Sequence, residues 1–494
     1  MSLKALWAFA FLAAASMGAR PPLKLHGLFG DGMVLQRDIA CPVWGTAAPG
    51  EAVTVEILGR TKTTQAGADG RWSVKLDPLS AGGPHELKVN DLTVRDVLVG
   101  DVWLAAGASN MEMPVKAAQI AKTEPDEGPV AMVRFFVVPR REEEEPQKDV
   151  VGSWKTNRSD AVADVSALAY YFARDLQRRI KVPVGFIQAA AAESVIDAWI
   201  GKHALGSTTG MRRATVLHGM QKANYDIMVG RYLGSLKAAE DAKAKGQPIP
   251  PILPKPMKPD GTSALYNGMI APLVSFALKG AIWSQGEAES WRAPQYESLL
   301  PGLIQSWRSD WGQGEFAFGF LQLPNLGTRR DEPEETALPR FRDAQFSALR
   351  VSGTGMAVSI DLGQGTEVVF RNKEAAGRRL AQWAEGKVYG KSDLVTSGPT
   401  FDNMKIEASR VRITFKNIGS GLKSNGDKLV GFQMASDFRR FYWANATIEG
   451  NSVVVSCEDV KWPAAVRYAF ADNPECNLTN SEGLPAVPFR TDSW

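Results

Sequence analysis

The stretch Val99 to Val115, VGDVWLAAGASNMEMPV, constrains the chain more than any other. An apolar run, Val102 to Ala106, breaks at Gly107, and Ser109 follows two residues later, ahead of a helix-compatible segment from Glu112 to Lys122. A buried strand that ends at a glycine and hands over to a helix is the local form of a parallel α/β sheet. It sets Ser109 at the carboxyl end of that sheet, where ligands bind. The same serine would serve equally well as the cap of the following helix, so the rest of the chain has to decide between the two roles.

Downstream the chain alternates between apolar runs and helical periods. Met132 to Val138 is a buried-strand candidate, and Ala163 to Ile180 is helical with Leu168, Phe172, Leu176 and Ile180 on one face. Val182 to Ala190 is the next strand, and Met211 to Lys245 reads as a long helix. Strands follow at Ile270 to Trp283, Phe316 to Leu323 and Gly355 to Leu362, and a helix at Lys373 to Val388. This rhythm predicts a mostly parallel sheet covered on both faces. The proline-rich segment QPIPPILPKPMKP, within a linker at 246–262, must be extended.

The flanks have another texture. Val53, Val55 and Ile57 alternate with polar residues, Asp69-Gly70 marks a tight turn, and Trp72, Val74 and Leu76 alternate again, so 20–98 reads as a β-sandwich. The texture is β-rich again over 395–494, which leaves 99–394 as the α/β domain. Residues 1–19, MSLKALWAFAFLAAASMGA, have one lysine, an apolar core and small residues at the end, the form of a secretory signal cleaved near Gly18 or Ala19. The expected location is therefore secreted or periplasmic, with no stable membrane span.

Composition narrows the partner. A net charge of +3 over 494 residues, with no basic stripe, excludes a nucleic-acid binder and favours a small or oligomeric ligand. No loop has metal-ligand spacing and no cofactor is implied; a carboxylate cluster holding Ca²⁺ or Mg²⁺ is a minor variant. Three cysteines, Cys41, Cys457 and Cys476, leave at least one unpaired, and pairing of the last two stays open.

Several stretches in order carry a resemblance: GMVLQRD at Gly32 to Asp38, GDVWLAAGASNMEMPV, LYNGMIAPL at Leu265 to Leu273, WSQGE at Trp283 to Glu287, LQLP at Leu321 to Pro324, NKEAAGRRLA at Asn372 to Ala381, and the tail AVRYAF with EGLPAVPFRTD. Together they resemble the sialate O-acetylesterase family of the SGNH hydrolases. The resemblance implies a flavodoxin-like three-layer α/β/α domain and a serine nucleophile in a GQSNM turn. It also implies oxyanion donors from a WGGT turn and from an asparagine after QGE, and a histidine base in a DxHP segment.

Only the serine is kept. GQSNM is here GASNM, WGGT aligns with Ala191, Ala192, Glu193 and Ser194, and the asparagine aligns with Glu289. DxHP aligns with Glu367, Val368, Val369 and Phe370, and the four histidines, His26, His85, His203 and His218, all precede it. His203 or His218 could supply a base, although nothing in the spacing argues for either.

Glu193, Glu289 and Glu367 thus stand at family active-site positions, with Glu287 nearby, and paired carboxylates are the tools of glycoside hydrolysis. The chain looks like the sialidase family of mucin-degrading gut bacteria that is similar in fold to the esterases. The resulting expectation is a glycoside hydrolase, an exo-sialidase releasing terminal sialic acid from mucin-type glycans. Glu289, Glu193 and Glu367 would be catalytic and Ser109 a hydrogen-bonding survivor. Arg292, Arg371, Arg329 and Arg330 are candidates for the substrate carboxylate, and Asn110, Gln285 and Glu287 complete the binding set. Tyr266, Tyr296 and Arg342 read as structural. Two alternatives remain: an O-acetylesterase acting on O-acetylated glycans through Ser109 with an unusual base, and a glycan-binding protein without catalysis.

Overall fold

The computed structural model describes residues 21–119, 132–157, 159–256 and 261–494. The leader at 1–19 and part of the proline-rich linker lie outside them. Seven strands form the central sheet: β1 (Leu92–Gly107), β2 (Val133–Val137), β3 (Trp154–Thr156), β4 (Val184–Ala190), β5 (Gly280–Ser284), β6 (Ala317–Leu321) and β7 (Thr354–Ala357), in the order β3-β2-β4-β1-β5-β6-β7. All neighbours are parallel except β3, which pairs antiparallel with β2 at one edge. The fold is mixed α/β with a mixed sheet and additional β regions at both ends.

Alternation along β1 assigns the two faces. Trp103 and Ala105 point into one buried cluster with Phe172, Leu176, Leu380 and Trp383, which is the face covered by helices α2 (Ala167–Ile180) and α6 (Lys373–Lys387). Val102, Leu104 and Ala106 point into the other, with Leu299, Leu303, Trp307 and Phe341 from α4 (Ala293–Trp311) and α5 (Ala337–Ser347). Strands buried on both sides read as continuous apolar runs, as this one does. The α2 helix begins four residues later than expected, because the Ser166 hydroxyl caps it by accepting the Ala169 N–H at 3.1 Å. Three segments are shorter than expected. The strand at Ile270 to Trp283 is confined to β5, because Ile270 to Leu273 lies in short helical turns with Pro272 among them. The strand at Gly355 is confined to β7, and the helix after Ser109, α1 (Ser109–Glu112), stops at Met113. Met113 precedes Pro114, which pushes it into extended conformation.

At its start β1 belongs to the N-terminal β region, pairing with Val34–Gln36 and with Gly82–Val89; from Asp101 onward it pairs with β4 and β5. The boundary between the expected first and second units therefore falls inside one continuous strand. Asp101, fully buried at the junction, accepts from Gln36 Nε2 at 2.9 Å and from Arg37 Nη2 at 3.0 Å. The GMVLQRD motif is thus a clamp between the two regions.

The long helix appears as α3 (Thr209–Ala244), with the proline-rich segment folded back so that the Leu253 N–H reaches Ser235 Oγ at 3.0 Å. No helix among the described residues is long and apolar enough to cross a membrane. Among the described residues the C-terminal part forms three small antiparallel sheets. Arg342 ties them to the α/β unit: fully buried, it donates to the carbonyls of Leu323, Ala471 and Asp472 at 3.0, 2.7 and 2.8 Å. The three cysteines are free thiols.

Candidate active site

The carboxyl ends of β4, β1 and β5 meet in register, with Gly107 between Ala190 and Ser284. Gly107 sits at φ 145°, and a Cβ there would lie 2.0 Å from the Ser284 carbonyl oxygen, so only glycine permits this approach. The chain turns at Ala108, whose N–H donates to Ser284 O at 2.8 Å, and Ser109 opens α1. The serine is partly exposed, and its Oγ accepts the Glu193 N–H at 3.0 Å.

Glu193 therefore does what a glycine would do at this place. Its φ is 60°, the left-handed region, which directs the amide at Ser109 while the carboxylate stands in solvent. The turn is further held by Glu112, whose carboxylate accepts the Ala192 N–H at 2.6 Å. The Glu193 amide is thus the backbone donor that meets Oγ. A side chain in left-handed conformation costs about 1–2 kcal/mol, against about 0.5–1 kcal/mol of extra chain entropy for glycine. Glu193→Gly is expected to stabilise the protein by about 0.5–1 kcal/mol and to keep the amide in place, which urea denaturation will check.

Asn110, buried beside the serine, is held from three sides. Its Nδ2 donates to Glu287 and, at 3.1 Å, to the Val368 carbonyl, and its Oδ1 accepts from Lys373 Nζ. Lys373 is fully buried and lies 3.5 Å above the Phe370 ring. Burial pushes its ammonium down from 10.5 to about 7, with Glu287 opposing the shift. The unfolded chain keeps that proton up to its ordinary value, while the folded protein releases it near 7. Between those values the unfolded state holds more protons, so this residue makes stability rise with pH, and its full penalty is present below about 7. Raising the pH from about 7 to about 9 should therefore favour wild type over Lys373→Met in urea unfolding. A constant difference would mean that Lys373 stays charged.

The other expected site residues are held by partners of their own. Glu289 is 0% exposed and accepts from the Ile196 N–H at 2.8 Å, from Gln285 Nε2 and from Arg292, which also binds buried Asp197. Gln285 reaches Ser194 O at 3.0 Å as well. Glu289, Arg292 and Gln285 thus fix the 194–197 segment. Glu367 forms an exposed pair with Arg371 at 3.0 Å. Arg329 and Arg330 lie on a groove bordered by the C-terminal β region. His203 pairs at 3.0 Å with Asp310, to which Tyr266 also donates. Asp310 lies at the far end of α4, about 27 Å along the helix from Arg292. His26 is buried beside Asp149, and Tyr296 is buried with its hydroxyl on Gln285. No metal-binding group of His, Cys, Asp and Glu occurs among the described residues.

Sequence reasoning missed Lys373 and Glu112. Lys373 was in view only as part of a motif; its apolar neighbour Phe370 and the helix start at Asn372 were the available signals of burial.

No protein-family model matches the chain. The sialate O-acetylesterase of Rattus norvegicus is 28% identical, with 97% of this chain and 96% of that protein covered. That of Pongo abelii is 28% identical over 92% of this chain and 90% of its own length. Among solved structures, a carbohydrate acetylesterase from Xanthomonas citri is 34% identical, with 96% of this chain and all of that chain covered, at a TM-score of 0.80. These relatives overturn the expectation of an exo-sialidase and of a glycoside hydrolase: they are esterases by name. The geometry agrees with the correction: Glu289, the leading acid of that expectation, is sealed under Arg292, and Glu367 is paired with Arg371 at the surface.

Proposed function

We infer from the chain's membership of the sialate O-acetylesterase family that it is a carboxylic ester hydrolase acting outside the cytoplasm on acetylated glycans, with Ser109 as nucleophile on an SGNH-type sheet. The observation that carries this reading is the Glu193 N–H on Ser109 Oγ at 3.0 Å, at the turn where three strand ends converge. In the reaction Ser109 Oγ bonds to the acetyl carbonyl carbon, and the carbonyl oxygen gains the negative charge. The Glu193 amide, which meets Oγ at 3.0 Å, is the donor beside that charge. The ester C–O bond then breaks, the sugar oxygen leaves as a hydroxyl with the proton that Ser109 Oγ gave up, and water adds its hydroxyl to the acetyl carbon and returns a proton to Oγ, releasing acetate.

The described side chains place no histidine at Ser109; the aligned position is Val369, beside Val368, whose carbonyl holds Asn110. A positioned base contributes roughly 10²–10⁴-fold, so turnover is expected to be slow and to rise with added imidazole. The test is acetate release from O-acetylated sialic acid with and without imidazole. Acetate that increases with imidazole supports the reading. No acetate under either condition overturns it and leaves a glycan-binding protein.

A further inference from the structure

A groove of about 800 Å³ lies between the loop that leaves β6 and the C-terminal β region. Its walls include Arg329, Arg330, Asp427, Lys428, Trp443 and Asn445. None of these was assigned to the ester chemistry, yet the groove is built onto the same loops. Asn473, on its floor, donates to Gly327 O at 2.7 Å and accepts from Asn325 at 2.9 Å. The Gly327 N–H in turn donates to Gly365 O at 2.6 Å. Three residues on, the Val368 carbonyl accepts from Asn110, the neighbour of Ser109. One side of the groove is therefore continuous with the rim of the candidate active site.

Its chemistry is that of a sugar-binding surface. Trp443 is half-buried and oriented by its Nε1–H, which donates to Asp331 O at 2.8 Å; an indole supplies a flat apolar face for the C–H side of a pyranose. Around it stand amides and charged groups able to take paired hydroxyls. The charges balance, with Arg329, Arg330 and Lys428 facing Asp331, Asp427 and Glu475. Arg329 holds Glu475 only at 3.8 Å, and Arg330 holds Glu334 at 3.5 Å, and both guanidiniums are mostly exposed. A groove lined by as many acidic as basic side chains has no net charge to attract an anion, while its amides and charged groups offer donors and acceptors to uncharged hydroxyl-rich chains.

We propose that this groove binds an uncharged oligosaccharide segment, the sugars that carry the acetylated residue, and so selects acetylated chains over isolated acetylated sugars. This rests on the esterase reading, but binding can be measured without turnover. The probe is a neutral tetrasaccharide of galactose and N-acetylglucosamine lacking acetyl esters, observed by saturation-transfer NMR with wild type, Trp443→Ala and Asn445→Ala; the second variant, at an exposed position, guards against misfolding of the first. Transfer to the sugar protons in wild type that is lost in the variants is the expected result. No transfer in wild type, transfer retained in a folded Trp443→Ala, or transfer seen only when the tetrasaccharide carries a terminal carboxylate sugar would overturn the proposal. Where acetate is released, the ratio of kcat/KM for an acetylated tetrasaccharide to that for an acetylated monosaccharide should fall about tenfold in Trp443→Ala. A protein that binds the tetrasaccharide but releases no acetate would sink the esterase reading and leave the groove standing.

Discussion

Glu289→Ala is expected to destabilise the protein by about 3–5 kcal/mol, the usual cost of removing one partner from a buried ion pair. The carboxylate is 0% exposed and answers three donors: the Ile196 N–H, Gln285 and Arg292. Without it Arg292 keeps Asp197 alone, and the 194–197 segment, which adjoins the turn carrying Glu193, loses its anchor. Acetate release should fall along with stability. Chemical denaturation measures the first effect directly. A fully stable Glu289→Ala protein that had nonetheless lost all turnover would instead make Glu289 a reacting group.

Ser109→Ala carries the opposite signature. Among the described residues its Oγ takes part in one hydrogen bond, from the Glu193 N–H, at a partly exposed position, so stability should change by no more than about 0.5 kcal/mol. Loss of a nucleophile costs several orders of magnitude when its base is in place; with no histidine at Ser109 part of that loss is already taken, so kcat is expected to fall by at least about tenfold and its rise with imidazole to vanish. The two substitutions thus separate support of the site from chemistry at the site. Steady-state acetate release on folded variants provides the comparison.

The contrast between these residues also marks what could be read from the chain. The strand-to-helix turn was legible because Val102 to Ala106, Gly107 and Ser109 are neighbours in sequence and their roles are local: burial, close approach and exposure. The helix at Leu168, Phe172 and Leu176 was legible through its period, and its start was written in Ser166. The early end of α1 was also in the sequence, in Met113-Pro114. The role of Glu289 was not. At a family active-site position it reads as an exposed acid, and only the fold brings Asp197 and the Ile196 amide, about ninety residues away, against it and Arg292. Glu193 misled for a different reason. A glutamate where a glycine is expected suggests a lost amide donor, but the backbone adopts φ 60° regardless, and the donor is retained. The buried Lys373 had a local signal in Phe370 and the helix start at Asn372, but its contact with Asn110, 263 residues away, is made only by the fold.

The central claim is that acetyl groups pass through Ser109. The most direct measurement is a rapid acid quench of the protein during turnover of an O-acetylated sugar, followed by peptide mass spectrometry. Acetyl mass on the peptide containing Ser109, absent in Ser109→Ala, is the predicted result. Acetate released with that peptide unmodified, and at an undiminished rate in Ser109→Ala, would contradict it and move the chemistry elsewhere on the molecule.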